Sequence, residues 1–175
     1  KNSNLATLET LNCDYQLIDT EEKRTKIIQK LLTSKILSLD TETTGTEPMD
    51  AELVGMSFSI AENEAFYVPV PADQEEALKI VNEFRPVFEN ENSLKVGQNI
   101  KYDMIVLQNY GVQVKGPLFD TMIAHYVLQP ELRHGMDYLA EIYLRYQTIH
   151  IDELIGPKGK NQKNIDRKST RLNSS

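Results

Sequence analysis

Hydrophobic and polar positions change period several times along the chain, and each change marks an element. Behind Asp19-Thr20-Glu21-Glu22, whose acids suit a first helical turn, Ile27, Ile28, Leu31 and Leu32 recur at helical spacing, so a helix is expected up to about Ser34. From Lys35 the rhythm shortens. Ile36-Leu37-Ser38-Leu39 is a mainly apolar run of strand length, bounded downstream by Thr44-Gly45 and Pro48, and the first strand is expected there. Residues 53–60 and 65–70 read as two more strands joined by the polar link Ala61-Glu62-Asn63-Glu64, which predicts an antiparallel meander. Residues 74–89 carry apolar side chains at Ala77, Leu78, Val81, Phe84 and Phe88, a helical rhythm that Pro86 must bend or end. Residues 94–96 form a short buried strand in this reading. Helical patterns follow at 101–110, 120–128 and 136–146, punctuated by Gly111, Gly116-Pro117 and Pro130. The expected class is α/β, a meander followed by alternating strands and helices, with no internal repeat.

The two ends lack such periods. Residues 1–13 are mostly polar and are read as a linker or arriving segment. From Gly156-Pro157-Lys158-Gly159-Lys160 onward there is no apolar periodicity and Lys and Arg are in surplus. The last ten residues, 166–175, resemble the translation of a sequencing-library adapter and are expected to be non-native. The rival reading of that tail is a phosphate-gripping basic arm. A folded domain is thus expected over 14–165.

At 175 residues with 40% hydrophobic and 26% charged residues, the chain has the size of one globular domain and is not a disordered tail. Its 26 acidic against 19 basic residues give a net charge of −7, the opposite of a protein that grips duplex DNA by phosphate contacts alone. The single Cys13 excludes an intramolecular disulfide, and the first residues lack a secretion signal, so a cytoplasmic setting is expected. No apolar run approaches a membrane span, and no membrane partner is expected.

Candidate chemistry begins where the first expected strand ends. In Asp40-Thr41-Glu42 strand alternation projects both acids from one face. Two carboxylates held together are either solvated surface acids or a cation site, and oxygen ligands select Mg²⁺, Mn²⁺ or Ca²⁺ over zinc. A second cluster, Val96-Gly97-Gln98-Asn99-Ile100-Lys101-Tyr102-Asp103, reads as strand end, polar turn and helix start, with Asn99 as N-cap. Asp103 is there either a third ligand or an acid complementing the helix dipole. The three histidines, His125, His134 and His150, have no metal-ligand spacing and read as surface or packing residues.

These segments resemble the DEDD superfamily of 3′→5′ exonucleases, and within it the proofreading domain of the bacterial DNA polymerase I family, the family-A polymerases. The resemblance rests on Leu39-Asp40-Thr41-Glu42-Thr43 and on the 96–103 cluster. It continues through Phe119-Asp120-Thr121-Met122, the run from Arg133-His134-Gly135-Met136 to Ala140, and Gly159-Lys160-Asn161-Gln162, and it covers about residues 14–163. It implies a ribonuclease-H-like mixed sheet, three antiparallel strands first, with helices on its faces. It further implies two divalent cations, Mg²⁺ or Mn²⁺, the first bound by Asp40 and Glu42, the second touched by Asp40 and held through water by Asp103. Thr43, Gln98, Asn99, Tyr102 and Arg133 match positions that contact a single-stranded DNA 3′ end. The physics is consistent with this, since cations about 3.5–4 Å apart stabilise both the attacking and the departing oxygen without a side-chain nucleophile.

The resemblance has gaps. Gly45-Thr46 stands where the family has an apolar wedge, and His150-Ile151 where it has an aromatic base-stacker. The superfamily's fourth carboxylate, in a Tyr-x3-Asp or His-x4-Asp spacing, is absent: no Tyr or His after Asp103 has Asp at the required distance. Asp120 and Asp137 fit helix N-terminal roles instead. The expectation is therefore a domain truncated before that ligand, weakly active or inactive alone. A polymerase domain would follow in cis, and an upstream 5′ nuclease is possible. Two rivals stand beside it: an RNase D-like exonuclease acting on RNA, and a non-catalytic exonuclease-like domain of a polymerase.

Overall fold

A computed structural model describes residues 5–149. It contains one six-stranded mixed sheet in the order β1-β4-β3-β2-β5-β6. The strands are β1 (Asp14–Leu17), β2 (Ile36–Thr43), β3 (Leu53–Ser59), β4 (Glu64–Pro69), β5 (Leu94–Gly97) and β6 (Leu118–Asp120). Strands β2, β3 and β4 are the expected antiparallel meander, while β1 on β4, β5 on β2 and β6 on β5 pair in parallel. The α/β class and the mixed sheet are as the sequence indicates.

Two strands are not legible in the sequence. β1 precedes the run expected to be the first strand, and all four of its residues are exposed, so no apolar alternation announces it. β6 is three residues long and largely exposed. Both are edge strands recruited by backbone pairing rather than by burial. Upstream of β1, Ala6 bonds the 145–147 backbone in both directions, at 2.8 Å each.

The helices follow their caps. α1 (Glu21–Leu32) starts at Thr20, whose hydroxyl accepts from the Lys23 N–H, and α2 (Gln74–Glu83) starts at Asp73, which accepts from the Glu76 N–H. The expected single helix over 74–89 is two: α2 ends at Glu83 and α3 (Arg85–Phe88) follows, with Pro86 in its first turn, where the missing N–H costs nothing. α4 (Ile100–Asn109) and α5 (Thr121–Leu128) lie within a residue of expectation at each end. The long helix expected over 136–146 is instead α6 (Met136–Leu139) continued by one π-helical turn, Ala140–Leu144, and stopped by Arg145 in a left-handed conformation.

Cross-strand register divides the meander into two unlike faces. On one, Leu39 pairs with Phe58 and Phe58 with Phe66, while Met56 pairs with Val68; this face builds the core with Phe84, Phe88 and the α4 residues Val106 and Leu107. Phe58 stacks on Phe84 with centroids 5.3 Å apart. The core face also holds one cation: Lys95 of β5 is fully buried, and its Nζ donates to the carbonyls of Asn90 and Lys115. On the opposite face Ser38 pairs with Ser59, Asp40 with Ser57, and Glu42 with Gly55. Polar side chains thus gather where the sheet is not covered by α1–α4.

Among the described residues no helix is long and apolar enough to cross a membrane. His150, Ile151, the Gly156-to-Lys160 stretch, Gly159-Lys160-Asn161-Gln162 and the tail over 166–175 lie outside the described residues.

Candidate active site

Asp40 and Glu42 leave β2 on the open face, as alternation requires. β5 pairs with β2 only as far as Ser38, so the next β2 residues have an unpaired edge on that side. Asp103, in the first turn of α4, fills it. The Thr41 N–H and the Thr41 hydroxyl both donate to Asp103 Oδ1, at 2.8 and 2.6 Å, and Asp103 is 2% exposed. The residue between the two acids therefore holds the third.

The three carboxylates sit within each other's fields. Burial, then the charges of Asp103 and Glu42, push the Asp40 carboxyl up to about 7. Glu42 is raised by burial and then by Asp103. Asp103 is raised by burial, against which the two Thr41 hydrogen bonds act. Three hard oxygen donors held at such mutual cost are the donor set that Mg²⁺ or Mn²⁺ prefers, and a cation would relieve both repulsion and desolvation. The residues present fit the implied cations. They do not form a finished cage: among the described residues no three His, Cys, Asp or Glu side chains are arranged to close on an ion, and Asp103 Oδ1 is already engaged by Thr41.

The expected contacts to a DNA 3′ end divide into four groups. Tyr102 and Thr43 meet at 2.5 Å, and both hydroxyls reach the Gly45 carbonyl, at 2.6 and 2.8 Å. This ties α4 to the turn after β2, next to the irregular register between Glu42 and Thr43. Gln98 lies beside Asp40 in one groove, but its amide is used internally: Nε2 donates to the His134 carbonyl at 2.6 Å and Oε1 accepts from Thr121. Arg133 is exposed and lines a different groove with Asp137, Tyr138 and Glu141, not the one containing Asp40.

Asn99 occupies the N-cap position but does not cap. It is left-handed, φ 59° and ψ 44°, and its side chain makes no cap hydrogen bond. The Asp120 carboxylate takes the Asn99 and Ile100 N–H groups at 3.2 and 2.9 Å, and also caps its own helix through Met122 and Ile123 at 2.9 and 3.1 Å. One side chain closes two helix starts, so Asp120 has the helix N-terminal role its position suggested. Asp137 lies in the first turn of α6 and accepts from the Thr148 hydroxyl at 2.6 Å. His125 is buried and its Nδ1 meets His134 Nδ1 at 2.7 Å, a packing pair.

The groove beside Asp40 has a volume of about 580 Å³ and is walled mainly by apolar side chains, among them Phe119, Leu128, Leu139 and Tyr143. Two residues at this site escape a sequence reading. Thr41 belongs by alternation to the core face, so nothing in the pattern links it to the acids. Tyr67 lies two strands away, and the only trace of its approach is a glycine at 55.

A family model described as 3′-5′ exonuclease matches residues 15–169. DNA polymerase I of Borreliella burgdorferi is 36% identical over 162 residues, covering 91% of this chain and 18% of that protein. DNA polymerase I of Pseudomonas aeruginosa is 35% identical over 162 residues, with 87% and 18% covered. The chain thus spans 18% of the length of these curated relatives. Solved structures with the same fold include Brucella melitensis NrnC with bound Mg²⁺, at TM-score 0.62 and 18% identity over 86% of this chain and 70% of that one. Escherichia coli RNase D, an exoribonuclease involved in structured RNA processing, aligns at TM-score 0.60 and 19% identity over 74% and 33%.

Proposed function

Because the chain belongs to the 3′-5′ exonuclease family found in DNA polymerase I, we propose that it carries the proofreading site that hydrolyses the 3′-terminal phosphodiester of single-stranded DNA. The observation that carries this reading is the trio of acids gathered where β2 leaves the sheet, the half-buried Asp40 and Glu42 on the open face and the buried Asp103 of α4 pinned to Thr41. Asp40, Glu42 and Asp103 would hold two divalent cations, Mg²⁺ or Mn²⁺. When bound they supply Lewis acidity to the scissile phosphate and offset the charge that gathers during in-line displacement. The chain's own residues do the rest. The Thr41 bonds fix Asp103, so its free oxygen has one orientation. Thr43 and Tyr102, locked together on Gly45, offer hydroxyl and aromatic surface to the terminal nucleotide, and Asn99 offers an amide; such groups suit sequence-tolerant binding. Gln98 contributes by fastening the 131–135 segment, and Arg133 by phosphate contact.

DNA is favoured over RNA by the identity to two DNA polymerase I chains; the RNase D reading has only fold-level likeness at 19% identity behind it. A cytoplasmic polymerase domain in cis and an upstream 5′ nuclease belong to the same proposal. No Tyr-x3-Asp or His-x4-Asp spacing follows Asp103, so the 175 residues alone should bind Mn²⁺ and digest DNA weakly. The test uses a 5′-labelled single-stranded DNA and its RNA counterpart with Mg²⁺. The longer protein that contains this chain should release mononucleotides from the DNA 3′ end, and Asp40→Ala should abolish that while sparing strand synthesis. Undiminished mismatch removal by Asp40→Ala would overturn the assignment, as would faster digestion of the RNA.

A further inference from the structure

The open face of the meander continues past the acids. Glu42 pairs with Gly55 and Gly55 with Pro69, while Asp40 pairs with Ser57 and Ser57 with Tyr67. Directly opposed residues share a face, so Asp40, Glu42, Ser57 and Tyr67 all stand on it. Tyr67 leans diagonally across Gly55. A Cβ built on Gly55 would lie 2.2 Å from Tyr67 Oη, 2.4 Å from Cζ and 2.5 Å from Cε2. The phenol therefore occupies the space that any other residue at 55 would fill with its own side chain, directly beside the cross-strand neighbour Glu42. Its Oη is buried and has no hydrogen-bond partner among the described residues.

A buried hydroxyl without a partner has lost its bond to water and gained none in return, so its persistence needs a reason. We propose that Tyr67 is a positioning residue for Glu42: its phenol O–H, admitted by the absence of a side chain at Gly55, holds the Glu42 carboxylate in place on the open face of the sheet. The negative charge of Glu42 is felt at the phenol, which burial and that charge together push up to about 12. The O–H is thus a permanent donor at neutral pH, and of the acids on that face Glu42 is the one whose charge acts on it. Partners of this kind, bonded to a ligating group rather than to the ion, set the orientation of the ligand.

This inference rests on the reading of Glu42 as a cation ligand, and the experiment separates the two. Metal-free unfolding in urea is measured for the chain, Tyr67→Phe, Glu42→Gln and the double variant, and Mn²⁺ binding is titrated by calorimetry for the chain and Tyr67→Phe. Tyr67→Phe removes one oxygen and keeps the ring, so the fold is retained. The two substitutions should be non-additive, with the effect of Tyr67→Phe on the unfolding constant differing at least threefold between the unaltered chain and the Glu42→Gln variant. Tyr67→Phe should also weaken Mn²⁺ binding about tenfold. Gly55→Ala, which displaces the ring, should weaken it in the same direction. Additive unfolding effects would overturn the proposal whatever the metal does, and so would unchanged Mn²⁺ affinity in Tyr67→Phe. Non-additivity in a chain that binds no Mn²⁺ would support the Tyr67–Glu42 relationship while removing the metal reading of the site.

Discussion

Thr41 gives two hydrogen bonds to a single oxygen of Asp103, from its backbone N–H at 2.8 Å and its hydroxyl at 2.6 Å. The contact joins residues 62 positions apart and closes the edge of β2 where β5 has ended. It also makes the middle residue of Asp40-Thr41-Glu42 part of the site from the opposite side of the strand. Hydrogen bonds to a charged partner are worth about 1.5–3 kcal/mol. Thr41→Val keeps the shape and the N–H but loses the hydroxyl, and should destabilise the chain by about that amount in urea unfolding, with Thr41→Ser restoring most of it. An unchanged midpoint in Thr41→Val would show that the N–H alone holds Asp103.

The acids should leave a mark on stability against pH. Asp40 has its carboxyl raised from the ordinary 3.8 to about 7, so the folded state favours the protonated form more than the unfolded chain does. The resulting stabilisation is fully present below about pH 4 and is lost as pH rises through about 7. Glu42 and Asp103, also raised, add slope of the same sign. The metal-free thermal midpoint should accordingly fall between pH 5 and 8. Asp40→Asn should flatten that fall and stabilise the chain at pH 8 by about 1 kcal/mol, the usual relation between an active site and the fold that carries it. Millimolar Mn²⁺ should recover much of the loss in the unaltered chain and little in Asp40→Asn.

Asp120 accepts four backbone N–H groups from the starts of α4 and α5. Each lost cap typically costs about 1 kcal/mol, so Asp120→Ala should destabilise by about 2–3 kcal/mol. Hydrogen exchange should quicken at the first turns of both helices together. Exchange that quickens only in α5 would mean that α4 does not depend on this carboxylate.

Arg24 of α1, 8% exposed, donates Nε to Glu83 Oε2 at 2.6 Å and a second N–H to Oε1 at 3.3 Å, bridging α1 to α2. Removing one partner leaves a largely buried guanidinium unpaired, so Glu83→Ala should cost about 3 kcal/mol. The double change Arg24→Met with Glu83→Leu should cost much less, because no charge is then stranded. Equal losses in the single and double variants would place the stabilisation in packing rather than in the charge pair.

Local pattern is enough for the elements that bury a face. Leu37, Leu39, Phe58, Phe66 and Val68 alternate because the meander has one wet and one dry side, and that alternation by itself puts Asp40 and Glu42 together. The helix starts at Thr20 and Asp120 are equally visible, since a capping side chain acts within three residues of itself, whereas the Asp73 cap is not part of the sequence reading. β1 and β6 are not, because exposed edge strands are held by backbone pairing, which leaves no residue code.

What only the tertiary structure decided are relationships between distant strands and helices. Asn99 looks like a cap in isolation, but its backbone is left-handed and its side chain makes no cap bond, while Asp120, 21 residues on, takes the Asn99 and Ile100 N–H groups. Thr41 belongs by period to the core, yet the unpaired edge of β2 turns it toward Asp103. Tyr67 and Glu42 have no sequence relation at all and become neighbours across a glycine on the intervening strand. Periodicity reports which side of an element a residue faces, whereas register and chain crossing decide which residues from elsewhere share that side, and the chemistry of this site depends on both.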